Sequence, residues 1–310
     1  MKTHRNPTSC RGFTLMELMV AMAITALIVT SLVSITSLAL NTWNRSRSEL
    51  RASRQAKSMI DTMARDLESL VTRKGNTNEW LSAVSDTTSQ GANLTSTNAT
   101  KLIFFSSPTD RNTADGGNVS CVAYQLEFKD PINASSNTSF RTFVLSRLLI
   151  SPKETFDNLL GASSSTSSLA SLVSSNYSSQ LADPSNFVCE NIFQFSLIFH
   201  VELTIPAVGA LSESKVLNIP VAVGQTSSSQ TSDFFRIKGT GLETAISGGN
   251  VSATQLKAGR VTSVEISATV LTDLGVERSR VQTFGTNAAK AKFLAQNSYQ
   301  YTKIVPVSSM

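Results

Sequence analysis

Residues 12–40 read GFTLMELMVAMAITALIVTSLVSITSLAL, and this stretch decides the fold. From Phe13 to Leu40 a single charged side chain, Glu17, interrupts a run that is otherwise apolar or hydroxyl-bearing. The run exceeds the roughly 20 helical residues needed to cross a hydrocarbon core of about 30 Å. Trp43, Arg45 and Arg47 follow, the aromatic and basic residues expected where a helix leaves a bilayer. A cleavable secretory signal fits poorly, since its apolar region spans only about 7–15 residues and closes on a small-residue cleavage site. A plain signal anchor fits the length, but it gives no role to Gly12-Phe13 at the polar boundary or to Glu17 within the apolar run. An unpaired carboxylate in lipid costs about 3 kcal/mol or more, so Glu17 calls for a partner.

The helical pattern does not stop at the membrane boundary. Apolar residues recur at Ala56, Met59, Ile60, Met63, Ala64, Leu67, Leu70 and Val71, at helical spacings of three and four. No Pro or Gly occurs from residue 13 to residue 74, and Gly75-Asn76 supplies a stop signal. One helix over residues 14–73, roughly 90 Å long, is therefore expected. Its first half is apolar all round; its second half carries one stripe that should pack on a sheet. Arg45, Arg47, Arg51, Arg54 and Lys57 read as a solvated or headgroup-facing surface, with Glu49, Asp61, Asp66 and Glu68 as helical counter-charges. Because both flanks of the apolar run are basic, the positive-inside rule alone does not orient it.

Charge and composition exclude other classes. The 310 residues carry a formal charge of +5, from 27 basic and 22 acidic side chains. Lys2, Arg5 and Arg11 supply three of the basic groups ahead of residue 13. Without them the balance is 24 against 22, and nucleic acid is discounted as a partner. Charged residues make up only 16% of the chain and mean hydropathy is near zero, a composition that builds a core rather than a disordered polyelectrolyte.

Beyond residue 75 the pattern is strand-like, over residues 101–106, 119–128, 140–150, 187–205, 260–272 and 299–307. Residues 264–270 alternate cleanly, with Val264, Ile266, Ala268 and Val270 on one face. Asp273-Leu274-Gly275 reads as a turn into residues 276–284, forming a hairpin. The Ser/Thr-rich stretches 85–100, 163–179 and 224–232 read as surface loops or short disordered insertions. Of three cysteines, Cys10 precedes residue 13. Cys121 and Cys189 could form a disulfide in an oxidising compartment or remain two half-buried thiols. The expected fold is α+β: one long N-terminal helix, membrane-spanning then amphipathic, packed on a mostly antiparallel sheet.

The heptapeptide Gly12-Phe13-Thr14-Leu15-Met16-Glu17-Leu18 stands behind a short basic leader and ahead of a long apolar helix. It resembles the prepilin peptidase site of type IV pilins and type II secretion pseudopilins. The resemblance implies a cut between Gly12 and Phe13, N-methylation of Phe13, and an assembly role for Glu17. The implied divisions are a leader over 1–12, a transmembrane and filament-core helix over 13–40, its amphipathic continuation over 41–74, and an extracytoplasmic body over 75–310. Cleavage creates a cationic amine on Phe13, which Glu17 of a neighbouring subunit can neutralise, so that two costly buried charges become one pair. The implied partners are other pilin-like subunits, the prepilin peptidase, an inner-membrane assembly platform with its cytoplasmic ATPase, and membrane lipid before assembly. Before assembly the chain would sit in the inner membrane as a single span; afterwards it would lie in a pilus or pseudopilus.

Looser features of the body resemble the larger minor subunits of that superfamily, the J-type minor pseudopilins and W-type minor pilins. They are Tyr124-Gln125-Leu126-Glu127, Leu145-Ser146-Arg147, Asn191-Ile192-Phe193-Gln194-Phe195, and Val264-Glu265-Ile266 running to Asp273-Leu274-Gly275. Glu17 argues against the K-type tip subunit, which typically lacks that glutamate. The C protein of the Verru_Chthon pilin-like cassettes is a related candidate. A minor subunit, initiating or tip-proximal, is thus expected. The alternative is a signal-anchored extracytoplasmic binding protein or enzyme that never enters a filament.

No catalytic chemistry is expected. His4 precedes the cut, and His200 lies in an apolar strand, where a satisfied strand histidine is the ordinary reading. Cys121, Cys189 and His200 lack metal-ligand spacing, and Gly239-Thr240-Gly241 lacks the strand-to-helix context of a phosphate loop. Some relatives bind calcium, but no dense Asp/Asn/Gly loop supports it here. Neither a cofactor nor a metal is expected.

Overall fold

A computed structural model describes residues 12, 14–90, 94–107, 117–131, 141–161, 168–205, 215–225, 230–247 and 251–307. The chain divides into two compact units, Met1–Glu49 and Leu50–Met310. Helix α1 (Leu15–Glu68) runs without interruption for 54 residues. The chain continues through β1 (Glu79–Gln90), β2 (Leu94–Ser106), β3 (Ser120–Lys129) and β4 (Thr142–Ile150). A short α2 (Pro152–Glu154) leads into a π-helical turn over Thr155–Leu160, followed by α3 (Leu169–Leu181). Next come β5 (Phe187–Glu190), β6 (Ile192–Ile205), β7 (Lys215–Val223), β8 (Thr231–Lys238) and β9 (Gly241–Ser247). The last elements are α4 (Ala253–Leu256), β10 (Arg260–Leu271), α5 (Asp273–Val281), α6 (Asn287–Asn297) and β11 (Ser298–Pro306).

Among the described residues these strands form one sheet, ordered β11-β10-β6-β7-β8-β1-β2-β3-β4-β5, with β9 on β8. Pairing is antiparallel except where Ala222–Val223 of β7 meet Thr231–Ser232 of β8 in parallel. Beyond that point β8 pairs with β1 instead, through Phe234–Lys238. The sheet curls until β2 and β6, distant in strand order, lie side by side. Asn98, fully buried, makes the join: its Oδ1 accepts from the Phe195 amide at 2.6 Å and its Nδ2 donates to the Phe193 carbonyl at 3.3 Å. Gly224 sits at the same seam with φ +84°, and a Cβ there would lie 2.3 Å from the Ala99 amide nitrogen. Only glycine fits so close a backbone approach.

In the second unit, Ala52, Ala56, Met59, Ile60, Met63, Ala64 and Leu67 of α1 are buried against one sheet face. Their partners there include Leu81, Phe104, Val122, Phe195, Phe199 and Ile266. This is the stripe that the sequence period identifies. The opposite face of β1–β4 packs against α3, where Leu169, Val173, Tyr177 and Leu181 meet Trp80, Phe105 and Cys121. A smaller cluster joins α5 and α6 to the sheet through Val276, Phe293, Leu271 and Leu94.

Several sequence expectations need correction. Helix α1 stops at Glu68 rather than near Arg73, because Val71 donates its amide to the Phe105 carbonyl at 2.8 Å and so joins β2. The hairpin expected at 273–284 is helix α5. Thr272 caps it, accepting from the Gly275 amide at 3.1 Å, while Asp273 in the first turn and Arg278 and Arg280 in the last complement the helix dipole. Stretch 85–100 is largely the β1–β2 ladder, in which Thr87 faces Thr97 and Thr88 faces Ser96; β-branched threonines suit such pairs. Stretch 163–179 contains much of α3, whose apolar stripe at 169, 173, 177 and 181 is diluted by serines in the sequence. The expected strand 187–205 is split by Asn191, which adopts a left-handed φ of 63°.

Cys121 and Cys189 are both free and buried, so the disulfide weighed from sequence does not form. Across β4, Cys121 faces Ile150 and Cys189 faces Leu145. Residues 145 and 150 point to opposite faces, and two strand spacings plus five residues separate the thiol-bearing positions by about 19 Å. A bridge requires Cα atoms within about 7 Å.

Candidate functional site: the N-terminal assembly segment

The candidate site begins at Gly12, which is exposed. Phe13 lies outside the described residues. Thr14 caps α1 and Glu17 is the acidic residue of its first turn. The Thr14 amide and hydroxyl both donate to Glu17 Oε2 at 3.0 Å, and the Glu17 amide donates back to Thr14 Oγ1 at 3.3 Å. This is a reciprocal capping box, Thr-x-x-Glu, which the sequence spells out at residues 14–17 but which the reading of Glu17 as an intersubunit charge passed over. Thr14 thus belongs to the site. Its bonds hold the Glu17 carboxylate against the first turn of α1.

From Leu15 to Trp43 every α1 side chain is exposed, with Leu15 at 78% and Trp43 at 69%. Length and apolar composition make this half of the helix a candidate membrane span. Five of its hydroxyls find partners within the helix: Thr30, Ser31, Ser34, Thr36 and Thr42 each donate to the carbonyl four residues earlier, at 2.7–2.9 Å. An apolar medium offers no water to these groups, so such back-bonding is what permits them there.

Within the second unit, charged side chains fix α1 to the sheet. Arg51 meets Glu190 at 2.6 Å and Asp273 at 3.5 Å, and Gln55 donates to Glu190 at 3.3 Å. Asp61 accepts from Lys303 at 2.7 Å, a bond that holds its carboxyl below the ordinary carboxylate range. Asp66 takes two parallel bonds from Arg147, at 2.7 and 2.9 Å, and a third from the Tyr124 hydroxyl at 2.5 Å. Burial, aided by the Asp66 charge, raises the Tyr124 phenol above its usual value, and the Asp66 bond raises the Arg147 guanidinium in turn. Of the acids expected as counter-charges along the helix, Glu49 does pair with Arg45, at 3.0 Å. Asp61 and Asp66 instead spend their charge on the sheet.

The remaining candidates lie in the sheet and its turns, and His200 is not the fully satisfied strand histidine expected. His200 lies on β6 with Nε2 buried, without a hydrogen bond, and 3.8 Å from Glu265 Oε2. Among the described residues no three His, Cys, Asp or Glu side chains gather as a metal would require. Gly239 and Thr240 form the tight turn between β8 and β9. The Gly239 carbonyl accepts from the Gly75 amide at 3.0 Å, which makes this a structural clasp.

The comparisons with known proteins agree with this geometry. A family model described as the prokaryotic N-terminal methylation motif matches residues 7–33. No curated protein and no solved structure matches the chain. A prepilin-type motif leading into a long apolar helix, itself packed on a curled and mostly antiparallel sheet, defines a pilin-like α+β protein. Over residues 7–33 the chain is similar to members of the type IV pilin/pseudopilin superfamily, which are typically non-enzymatic structural subunits.

Proposed function

We propose that this chain is a minor pilin-like subunit of a type IV pilus or type II secretion pseudopilus, initiating the filament or lying near its tip. The observation that carries the reading is the prepilin-type motif matched at residues 7–33, continuous with a helix whose exposed apolar half bears one acid, Glu17. Prepilin peptidase cuts between Gly12 and Phe13, and the Phe13 amine is methylated. The helix rests in the inner membrane, with the body extracytoplasmic, until the assembly platform and its ATPase extract it into the filament. There Glu17 of one subunit pairs with the Phe13 amine of another. The capping box engages Oε2 and leaves Oε1 to receive that amine, so assembly need not break the helix cap.

The loop-bearing body supports a subunit incorporated seldom, since a repeating filament would have to accommodate it at every position. Mass spectrometry of the mature N-terminus tests the reading: methylated Phe13 is expected, and an intact Met1 in a peptidase-competent cell would overturn it. Glu17→Ala should insert into the membrane normally yet enter filaments poorly. Wild-type incorporation of that variant would refute the charge-pairing role.

A further inference from the structure

Helices α5 and α6 close one end of the curled sheet. At the start of α5, Asp273 Oδ1 accepts from Nδ2 of Asn191, between β5 and β6, at 3.0 Å. The far end of α5 reaches the start of β4, where Arg280 donates to the Arg141 carbonyl at 3.0 Å. On α6, Lys290 donates to the Thr95 carbonyl, near the start of β2, at 2.6 Å. Helix α1 enters the second unit at this same end, since Arg51 meets both Glu190, at 2.6 Å, and Asp273, at 3.5 Å. The chain that follows α1 emerges at the opposite end, where Leu70 bridges to Ser106, the last residue of β2.

Chain length sets what lies near α5 and α6. The apolar run ends at Leu40, and Arg51 is eleven positions further along α1. At helical rise that distance is about 16 Å. A headgroup layer takes up about 5–7 Å of it. The remaining gap is about 10 Å, close to one Debye length at physiological salt.

Charge at this end is one-sided. Helices α5 and α6 carry Arg278, Arg280, Lys290 and Lys292 against Asp273 and Glu277, and Asp273 is met by Arg51. Among the described residues none of the four cations is in an ion pair. Arg278, Arg280 and Lys290 donate instead to neutral oxygens, of Asn297, Arg141 and Thr95. Such bonds position a cation without cancelling its charge. Val281 stands beside Arg280 at the end of α5 and is 87% exposed. Basic side chains around an exposed apolar one suit a surface that rests in a headgroup layer.

We infer that the α5–α6 end of the body docks on anionic phospholipid headgroups of the leaflet from which α1 emerges, a partner assigned on the reading of α1 as a membrane span. The four cations supply the attraction and Val281 enters the layer. The contact belongs to the waiting subunit and is broken when the helix is extracted. Lipid is favoured over an acidic protein, because the span brings it within reach of every copy before another subunit is met.

The full-length chain, reconstituted in vesicles of phosphatidylcholine with or without phosphatidylglycerol, tests the docking. Val281→Cys in a Cys10→Ser background takes an environment-sensitive dye at one place, since Cys121 and Cys189 are buried. The dye should emit from an apolar setting on anionic vesicles and from water on neutral ones, and high salt should return it to water. Lys292→Gln, at an exposed side chain, should lower the docked-to-free ratio about fivefold without changing the melting temperature. Adding Arg278→Gln should lower it about fivefold again. Equal emission from the two kinds of vesicle would overturn the inference. So would a Lys292→Gln ratio equal to that of wild type, or a signal that grows with protein rather than with anionic lipid. Release of the chain from vesicles by alkaline carbonate would instead overturn the reading of α1 as a span, and with it the partner assigned here.

Discussion

Replacing Asp66 with alanine removes the acceptor at the centre of three hydrogen bonds that fasten the end of α1 to β3 and β4. The Asp66 side chain is 12% exposed and that of Arg147 24%, so the pair lies between two limits. Breaking a fully buried ion pair costs about 3–5 kcal/mol, whereas an exposed pair is worth below about 1 kcal/mol. Partial exposure places the Arg147 loss at about 2 kcal/mol, and the stranded Tyr124 hydroxyl, almost wholly buried, adds about 1 kcal/mol. For a body of this size 1 kcal/mol shifts the melting temperature by about 2–4 °C, so a fall of about 6–12 °C is expected. Circular dichroism melts of the full chain in detergent would measure it. The double-mutant cycle with Arg147→Met should return a coupling of at least about 1 kcal/mol, because each single variant strands a charge that the double variant removes. A melting temperature within about 1 °C of wild type, or strict additivity in the cycle, would refute the account of α1 as electrostatically tethered.

Three further outcomes follow from the same geometry. Gly224→Ala, forced to hold φ +84° with its Cβ 2.5 Å from the Phe195 carbonyl oxygen, should cost about 3 kcal/mol or more; a wild-type denaturant midpoint would refute the seam. Cys121 and Cys189 should resist alkylation until the chain unfolds, since burial pushes the Cys189 thiol up to about 12 and Cys121 higher still. A mass two daltons short of the dithiol, read after unfolding without reductant, would contradict the separation of these strands. The raised Tyr124 phenol contributes stability that is complete below an unfolded value near 10 and is lost as pH rises beyond it. Alkaline denaturation should therefore steepen above about pH 10, and less so in Tyr124→Phe; identical profiles would exclude the effect.

How far the fold could be read from the sequence depended on whether its signal was periodic or compositional. The α1 stripe and the alternation in β10 are periodic signals carried by large apolar residues, and both appear where the period puts them. Helix α3 failed to register because eight of its thirteen residues are not large and apolar; Leu169, Ala170, Val173, Tyr177 and Leu181 carry its buried face. The β1–β2 ladder failed for a related reason: it is built on threonine and serine, whose strand preference is real but whose composition also suits loops. Helix α5 was lost to a turn because Asp-Leu-Gly reads as a hairpin, until Thr272 is recognised as a cap and Val276 and Ser279 as the buried side. The seam between β2 and β6 was beyond reach, since nothing local to Asn98 or Gly224 indicates the approach of a strand nearly a hundred residues away.

The N-terminal site shows the converse limit, in which the signal was present but was given a single meaning. Glu17 was read as a charge in want of a neighbour, because a lone acid in an apolar run is costly. The Thr14 box supplies a local answer to the same cost, bonding one carboxylate oxygen and the first free amides of α1. A residue with two such answers can serve both states of a subunit: capped by its own chain while it waits, and charge-paired once a neighbour's amine arrives. Thr14→Val separates them. It removes the hydroxyl bonds while keeping the Thr14 amide, so the start of α1 should fray in the isolated chain, with faster amide exchange over residues 15–18. Filament entry, which the proposed pairing ties to the Glu17 charge, should survive. A Thr14→Val chain that enters filaments as poorly as Glu17→Ala would mean that cap and charge pair are one function.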